Sequence, residues 1–86
     1  IATDGPMSGN TLDLFSQFAP VTMFQKLAGH SRKPMPAREV IRMATIEGAR
    51  VLGMDAAIGS LEPGKQADLI RIDVSAARMQ PIYDVY

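Results

Sequence analysis

The sequence predicts a mixed α/β chain in which two helical segments are followed by a β-rich one. Apolar residues recur close to every 3.6 positions between residues 11 and 28 and again between residues 36 and 53, which is the period of a helix. From residue 57 onward the pattern changes, and residues 67–74 alternate between apolar and polar with the period of a strand. We therefore expect helices first and strands last.

The composition excludes several classes of function. The hydrophobic fraction of 47% is enough for a core, so disorder is not expected. Nine basic residues balance nine acidic ones, so the net charge argues neither for a nucleic-acid partner nor for an anionic membrane surface. The absence of Cys excludes disulfides, thiolate catalysis and Cys-type zinc sites, and it fits a cytoplasmic location. No apolar run approaches the roughly 20 residues that span a bilayer.

The first helical segment is predicted to contain a defect. Residues 4–11 are rich in Gly, Pro, Ser and Asn and should form a loop. Asn10 or Thr11 is predicted to cap the helix that follows, and Gly29 to end it. Pro20 lies inside this segment, where proline costs ~3 kcal/mol in a regular helix. We therefore expect a kink or two short helices.

The second helical segment is predicted to run without interruption. Pro36 suits its first position, and Gly53 suits its end. Gly48 lies on its apolar stripe, where glycine costs up to ~1 kcal/mol of helix propensity, so we expect close packing there. The stripe comprises Val40, Ala44, Gly48 and Val51.

The last third of the chain is predicted to hold two strands and a tight turn. Residues 58–61 and 67–74 are the predicted strands. Between them, Pro63 and Gly64 occupy the second and third positions of a four-residue turn, as a type II turn requires.

Asp4 is the first candidate for chemistry. It follows a short apolar stretch and precedes Gly5 and Pro6, which would place its carboxylate at the end of a strand, where barrel enzymes hold catalytic groups. Asp-Gly is also a common turn pair, so local sequence leaves both interpretations open. His30 is the one imidazole, whereas a catalytic zinc site needs three protein ligands, so we interpret it as a solvated residue. Four further carboxylates are expected to be ordinary solvated charges: Asp13, Glu39, Glu47 and Asp55.

Three motifs occur in a fixed order. Thr-Asp-Gly at residues 3–5 precedes Ser-Gly-Asn-Thr-Leu-Asp-Leu-Phe at residues 8–15. Pro-Ala-Arg-Glu at residues 36–39 precedes Gly-Ala-Arg-Val-Leu-Gly at residues 48–53. Gly-Ser-Leu-Glu-Pro-Gly-Lys-Gln-Ala-Asp-Leu follows at residues 59–69. Together they resemble amidohydrolases of the methylthioadenosine/S-adenosylhomocysteine deaminase and chlorohydrolase group.

The resemblance implies an architecture. It implies the carboxy-terminal fragment of a (β/α)8 TIM barrel, with strand 8 and the helices after it, joined to strands of a small β-sandwich. Residues 1–56 would form the end of the barrel and residues 57–86 the carboxy-terminal part of the sandwich. Since the chain begins without an initiator Met, we expect it to be part of a longer polypeptide.

The resemblance also implies a role for Asp4. It would be the strand-eight aspartate, which binds a divalent metal and passes a proton from the metal-bound water toward the leaving group. Zinc is the expected metal and iron the alternative. The remaining ligands would lie outside this chain, so the 86 residues alone should be inactive. Ser8 and Asn10 lie on the loop above the site, where contact with substrate and shaping of the loop are both open.

The function implied is hydrolytic deamination of an amino-substituted heterocycle, such as an adenosine derivative, guanine, cytosine or a triazine. The alternatives are dechlorination or cyclic amide hydrolysis in the same superfamily, or a small interaction module without activity. The expected partners are the small heterocycle and the rest of the parent polypeptide, without nucleic acid or membrane. Assembly into a homo-oligomer is left open.

Overall fold

The computed structural model describes residues 1–29, 35–80 and 82. All regular secondary structure in this part of the chain is helical. In chain order the elements are α1 (Pro6–Gly9), a 3-10 turn (Leu14–Gln17), α2 (Phe18–Ala28), α3 (Ala37–Ala44), α4 (Ile46–Val51) and a 3-10 turn (Ala77–Met79).

The helical region after α1 begins at Asp13. Its Oδ1 accepts a hydrogen bond of 3.0 Å from the backbone N–H of Phe15. The hydroxyl of Thr11 in turn accepts a 2.9 Å hydrogen bond from the N–H of Asp13. The prediction of Asn10 or Thr11 as the cap is therefore wrong, because the side chain that reaches the free N–H groups belongs to Asp13.

Pro20 explains the division of this region into two short helices. It occupies the first turn of α2, directly after the 3-10 turn Leu14–Gln17. The first N–H groups of a helix have no hydrogen-bond acceptor within the helix. Proline, which has no N–H, therefore removes no helical hydrogen bond at this position. The predicted pair of short helices is confirmed, and so is the end of α2 at Gly29.

The second helical segment breaks at Thr45, and the prediction of one continuous helix is wrong. Thr45 has φ −124° and ψ −101°, outside the helical region. Its hydroxyl donates a hydrogen bond of 2.8 Å to the carbonyl of Ile41. Its backbone N–H donates one of 3.1 Å to the carbonyl of Arg42. The side chain thus takes the carbonyl that the backbone N–H would use in a helix, and such back-bonding bends helices.

Two glycine positions behave as predicted. Gly53 has φ +68° and follows α4, where the N–H of Met54 reaches back 2.9 Å to the carbonyl of Ala49. Gly64 has φ +92°, and the N–H of Lys65 donates 3.1 Å to the carbonyl of Glu62. These are the features of the predicted type II turn, and the turn is confirmed.

The predicted strands are not formed, and the expectation of β-sandwich strands is wrong. Residues 1–3, 58–61 and 67–74 contain no strand. The large apolar side chains of this segment are exposed: Leu69, Ile70, Ile72 and Val74. A strand is stable only beside a partner, and none of the described residues offers one.

Few of the described residues are buried. The buried apolar residues of the described part are Val40 of α3 and Ala49 of α4, where these two helices pack together. The radius of gyration is 14.8 Å, whereas a compact domain of this length would have about 12 Å. The apolar surface is therefore left largely open. No helix among the described residues has both the length and the apolar character to cross a bilayer.

Candidate functional site

Asp4 has an unusual backbone conformation. Its φ is +58°, in the left-handed region that residues other than glycine seldom occupy. The hydroxyl of Thr3 donates 3.1 Å to the carbonyl oxygen of Asp4. Strained backbone of this kind persists where the surroundings hold it, and it is common at functional sites. The chain therefore turns sharply at the residue that the sequence singled out.

The loop after Asp4 is organised by α1, a single helical turn. The N–H of Ser8 donates 2.9 Å to the carbonyl of Gly5, and the N–H of Gly9 donates 3.2 Å to the same atom. A β-carbon built on Gly9 would lie 3.2 Å from the carbonyl oxygen of Thr3. The turn thus folds back onto the residue that precedes Asp4, which the prediction of an irregular loop did not foresee.

The Asp4 carboxylate is exposed and stabilised in its charged form. Hydrogen bonding by the Gly5 N–H, and secondly by the Ser8 hydroxyl, lowers the pKa of Asp4 below its ordinary value of 3.8. Desolvation acts weakly in the opposite direction. Hydrogen bonds to a carboxylate favour its ionised state. The group is therefore an anion with accessible oxygens at neutral pH.

Both predicted loop residues follow Asp4 closely along the chain. The Ser8 hydroxyl is the second cause of the lowered pKa of Asp4. Asn10 has φ +57° and ends α1, with its N–H donating 2.9 Å to the carbonyl of Pro6. A loop-shaping role for the backbone of Asn10 follows directly. His30 lies outside the described residues.

The described ranges contain no cluster of side chains that could hold a metal ion by itself. Nowhere in residues 1–29, 35–80 and 82 do three His, Cys, Asp or Glu side chains come together around a common point. A catalytic zinc site needs three protein ligands and one open position. The chain offers a carboxylate suited to be one such ligand, and a complete site would need side chains from elsewhere.

A concave surface of the described chain does not include Asp4 in its lining. It is a groove of about 1000 Å³ between the start of the chain, the α3–α4 pair and two later segments. Its apolar lining includes Ile1, Ala2, Met43, Leu52, Leu69 and Ile70. We assign the candidate site to Asp4 and its loop, because the sequence motifs single out that carboxylate.

Sequence reasoning missed an ion-pair cluster around Glu47. Its Oε1 lies 2.6 Å from a guanidinium nitrogen of Arg42 and 2.6 Å from one of Arg50. The spacing of Glu47 and Arg50 is a normal helical one and could have been noticed. Arg42 is five residues away and comes close only because the helix breaks at Thr45.

The chain is similar to known proteins of one family. The sequence profile of the amidohydrolase family matches residues 1–85. The chain is 42% identical over 84 residues to a 5-methylthioadenosine/S-adenosylhomocysteine deaminase of Teredinibacter turnerae, covering 98% of this chain and 19% of that protein. It is 44% identical over 81 residues to a 5'-deoxyadenosine deaminase of Methanobrevibacter smithii, covering 94% of this chain and 19% of that protein.

A solved structure is also similar. The chain superimposes on an adenosine deaminase from Xanthomonas campestris with bound zinc, at a TM-score of 0.88 and 42% identity. The match covers 96% of this chain and 19% of that one. The chain thus spans about a fifth of the length of the relatives that it matches.

Proposed function

Because this chain belongs to the amidohydrolase family, we propose that it is the carboxy-terminal part of an enzyme that hydrolytically deaminates an amino-substituted heterocycle. The resemblance seen in the sequence motifs is confirmed by the family match and by the deaminases among its relatives. The observation that carries the proposal is the 42% identity to the Teredinibacter turnerae deaminase over 98% of the chain.

The substrate class follows from the same relatives. Their names specify 5-methylthioadenosine, S-adenosylhomocysteine, 5'-deoxyadenosine and adenosine, all of which carry the same amino-substituted purine. We therefore place adenosine derivatives ahead of guanine, cytosine and triazines as the substrate. Nothing in the described residues favours dechlorination or cyclic amide hydrolysis.

Asp4 is the residue that this chain would contribute to the reaction. Its carboxylate is exposed and, with its pKa lowered by Gly5 and Ser8, it is ionised at neutral pH. An ionised carboxylate can accept a proton from an attacking water and return it to a departing group. The left-handed backbone at Asp4 holds the side chain at the point where the chain enters α1.

A divalent cation suits this carboxylate. Zinc accepts carboxylate oxygen together with imidazole nitrogen, and its catalytic sites use three protein ligands. In this proposal Asp4 is one ligand, and the others come from the rest of the polypeptide. When bound, such a cation lowers the pKa of the attacking water toward ~7. The zinc bound in the Xanthomonas campestris structure supports zinc over iron.

The proposed reaction balances with Asp4 as the proton carrier. Water adds to the ring carbon that bears the amino group, and Asp4 accepts one proton from it. Asp4 then donates that proton to the amino nitrogen, the C–N bond breaks, and ammonia leaves. The hydroxyl left on the ring carbon becomes a carbonyl as its proton moves to the adjacent ring nitrogen, so one water is consumed for each ammonia released.

The test is ammonia release by the full-length polypeptide that contains these residues. It should be purified, loaded with zinc or iron, and assayed with adenosine, 5'-deoxyadenosine, S-adenosylhomocysteine, guanine, cytosine and an aminotriazine. We expect turnover of at least one adenosine derivative. Absence of turnover on all of them, in protein shown to hold metal, would contradict the proposal. Chloride release from a chlorotriazine would instead identify a dechlorinase.

Other expectations stay predictions. These are the boundary between residues 56 and 57, the inactivity of the 86 residues alone, the cytoplasmic location and the assembly into a homo-oligomer. Size-exclusion chromatography of the full-length protein with light scattering would test the last of these.

A further inference from the structure

The groove beside α3 and α4 has walls that are held in place. The start of the chain, the helix pair and the segments after it form these walls, although they are far apart in the sequence. A β-carbon built on Gly59 would lie 2.8 Å from the Cβ of Ala49, so the loop after α4 is packed directly against that helix. The N–H of Gln66 donates a hydrogen bond of 2.8 Å to the carbonyl of Ala57 and closes this loop. The groove is therefore a fixed shape.

The walls of the groove are apolar and open to solvent. Val51 and Leu52, at the end of α4, line it and are 87% and 70% exposed. Ile70 lines it as well and is 72% exposed. Large aliphatic side chains of this kind are mostly buried in folded proteins. A contiguous apolar surface marks a place where another group of atoms packs.

A second copy of the chain is poorly suited to fill the groove. A two-fold symmetric dimer places the same patch of each subunit against the other. Two concave grooves that face each other would enclose a void instead of filling it. The exposed apolar side chains of α2 could enter the groove of another copy, namely Met23, Phe24 and Leu27. Such a head-to-tail contact extends into a filament unless a ring closes.

The relatives indicate a different occupant. The chain superimposes on the Xanthomonas campestris deaminase at a TM-score of 0.88 over 96% of its own residues, yet it spans only 19% of that protein. The same arrangement of helices and loops therefore exists inside a chain about five times as long. The additional residues of such a chain are far more than a groove of about 1000 Å³ requires.

We infer that this groove is an internal docking surface, filled in the full-length protein by apolar side chains from the part of the same polypeptide that lies outside these 86 residues. The charged side chains of its lining, Glu47 and Asp68, are both acidic. An apolar segment without carboxylates therefore fits it best, because like charges repel. The inference does not depend on deamination, and it can fail or succeed independently of the proposed function.

The test measures the reactivity of a thiol placed in the groove of the full-length protein. Val51→Cys introduces a side chain of similar size, and these 86 residues contain no Cys of their own. Arg50→Cys is the matched control, because Arg50 is the preceding residue of α4, is half exposed and does not line the groove. Each variant is treated with N-ethylmaleimide, and mass spectrometry of the peptides identifies the labelled residue.

We expect Val51→Cys to react about 100-fold more slowly than Arg50→Cys, because a covered thiol reacts only when the structure opens locally. This protection should be the same at low and high protein concentration. Thermal melts would show whether each variant is folded. If Val51→Cys does not fold, Leu52→Cys provides the same comparison, since Leu52 also lines the groove.

Two results would overturn the inference. Reactivity of the groove thiol equal to that of the control would show that the groove is open in the full-length protein. Protection that is lost on dilution, or lost when Phe24→Gln and Leu27→Gln are added in a protein that still melts cooperatively, would identify a second copy as the occupant. Neither result depends on whether the protein deaminates any substrate.

Discussion

Gly59 lies so close to α4 that a β-carbon built on it would be 2.8 Å from the Cβ of Ala49. The Cα of Ile46 would be 2.9 Å away, closer than real β-carbons approach. The sequence predicted close packing at Gly48, but the closest approach is at Gly59. At Gly59 the loop after α4 packs directly against that helix. Ala49, one of the two buried apolar residues of the described chain, lies at this contact.

Replacing Gly59 with alanine should destabilise the full-length protein. Gly59 and Gly64 both have φ +92°, but the β-carbon position of Gly64 has open space around it. We expect Gly64→Ala to cost about 1 kcal/mol of unfolding free energy from backbone strain alone. Gly59→Ala should cost a further ~1–3 kcal/mol from overpacking. Urea denaturation of the two variants measures the difference, and equal destabilisation would refute the contact.

Replacing Asp4 with asparagine should abolish the proposed chemistry. The change keeps the size of the side chain but removes its charge and its capacity to carry a proton. General base catalysis contributes typically about 10²- to 10⁴-fold, so kcat should fall by about 10²-fold or more. Zinc content, measured by atomic absorption after dialysis, should fall in parallel. Asp13→Asn is the control, because asparagine caps helices as well as aspartate does.

The Glu47 cluster should make stability depend on pH in the acid range. Hydrogen bonds from Arg42 and then Arg50 lower the pKa of Glu47 below its ordinary value of 4.5. A carboxyl whose folded pKa is depressed contributes stability above its unfolded pKa and loses it as pH falls through the folded value. Glu47→Gln should therefore destabilise the full-length protein at pH ~7 and much less below the folded pKa of Glu47.

The destabilisation caused by Glu47→Gln is measured by urea denaturation at pH ~7 and again below the folded pKa of Glu47. The difference between the two values is the quantity of interest. Since the ion pairs of the cluster are exposed, added salt should also reduce this difference in unfolding free energy. Glu62→Gln is the control, because its carboxylate lies 3.8 Å from Lys65 in a single pair. A destabilisation by Glu47→Gln that is the same at both pH values would show that the ion pairs are not its cause.

The 86 residues expressed alone should self-associate. Met23, Phe24 and Leu27 on α2 are 63%, 68% and 70% exposed, and the apolar groove beside α3 and α4 is also open. Contiguous exposed apolar surface of this kind drives association. Sedimentation velocity should show oligomers or aggregates, and a Phe24→Gln/Leu27→Gln variant should associate less. A sharp cooperative melt of a monomer, followed by near-ultraviolet circular dichroism, would contradict this expectation.

The site was predictable only in part. Asp4 could be chosen from Thr-Asp-Gly and the motifs that follow, because those residues lie next to one another in the sequence. The helical turn α1, in which the N–H of Ser8 donates to the carbonyl of Gly5, could not be predicted from the loop-like composition of residues 4–11. Likewise, Arg42 and Glu47 are paired because Thr45 interrupts the helix between them.

The sequence by itself determined the features that a few neighbouring residues control. The ends of α2 and α4 at Gly29 and Gly53, the turn at Pro63 and Gly64, and the family motifs all belong to this class. The tertiary structure alone decided whether residues 67–74 become a strand and how the end of α1 at Gly9 approaches the carbonyl of Thr3. Backbone torsion is a property of each residue, whereas strand pairing and site assembly require groups that lie far away along the chain.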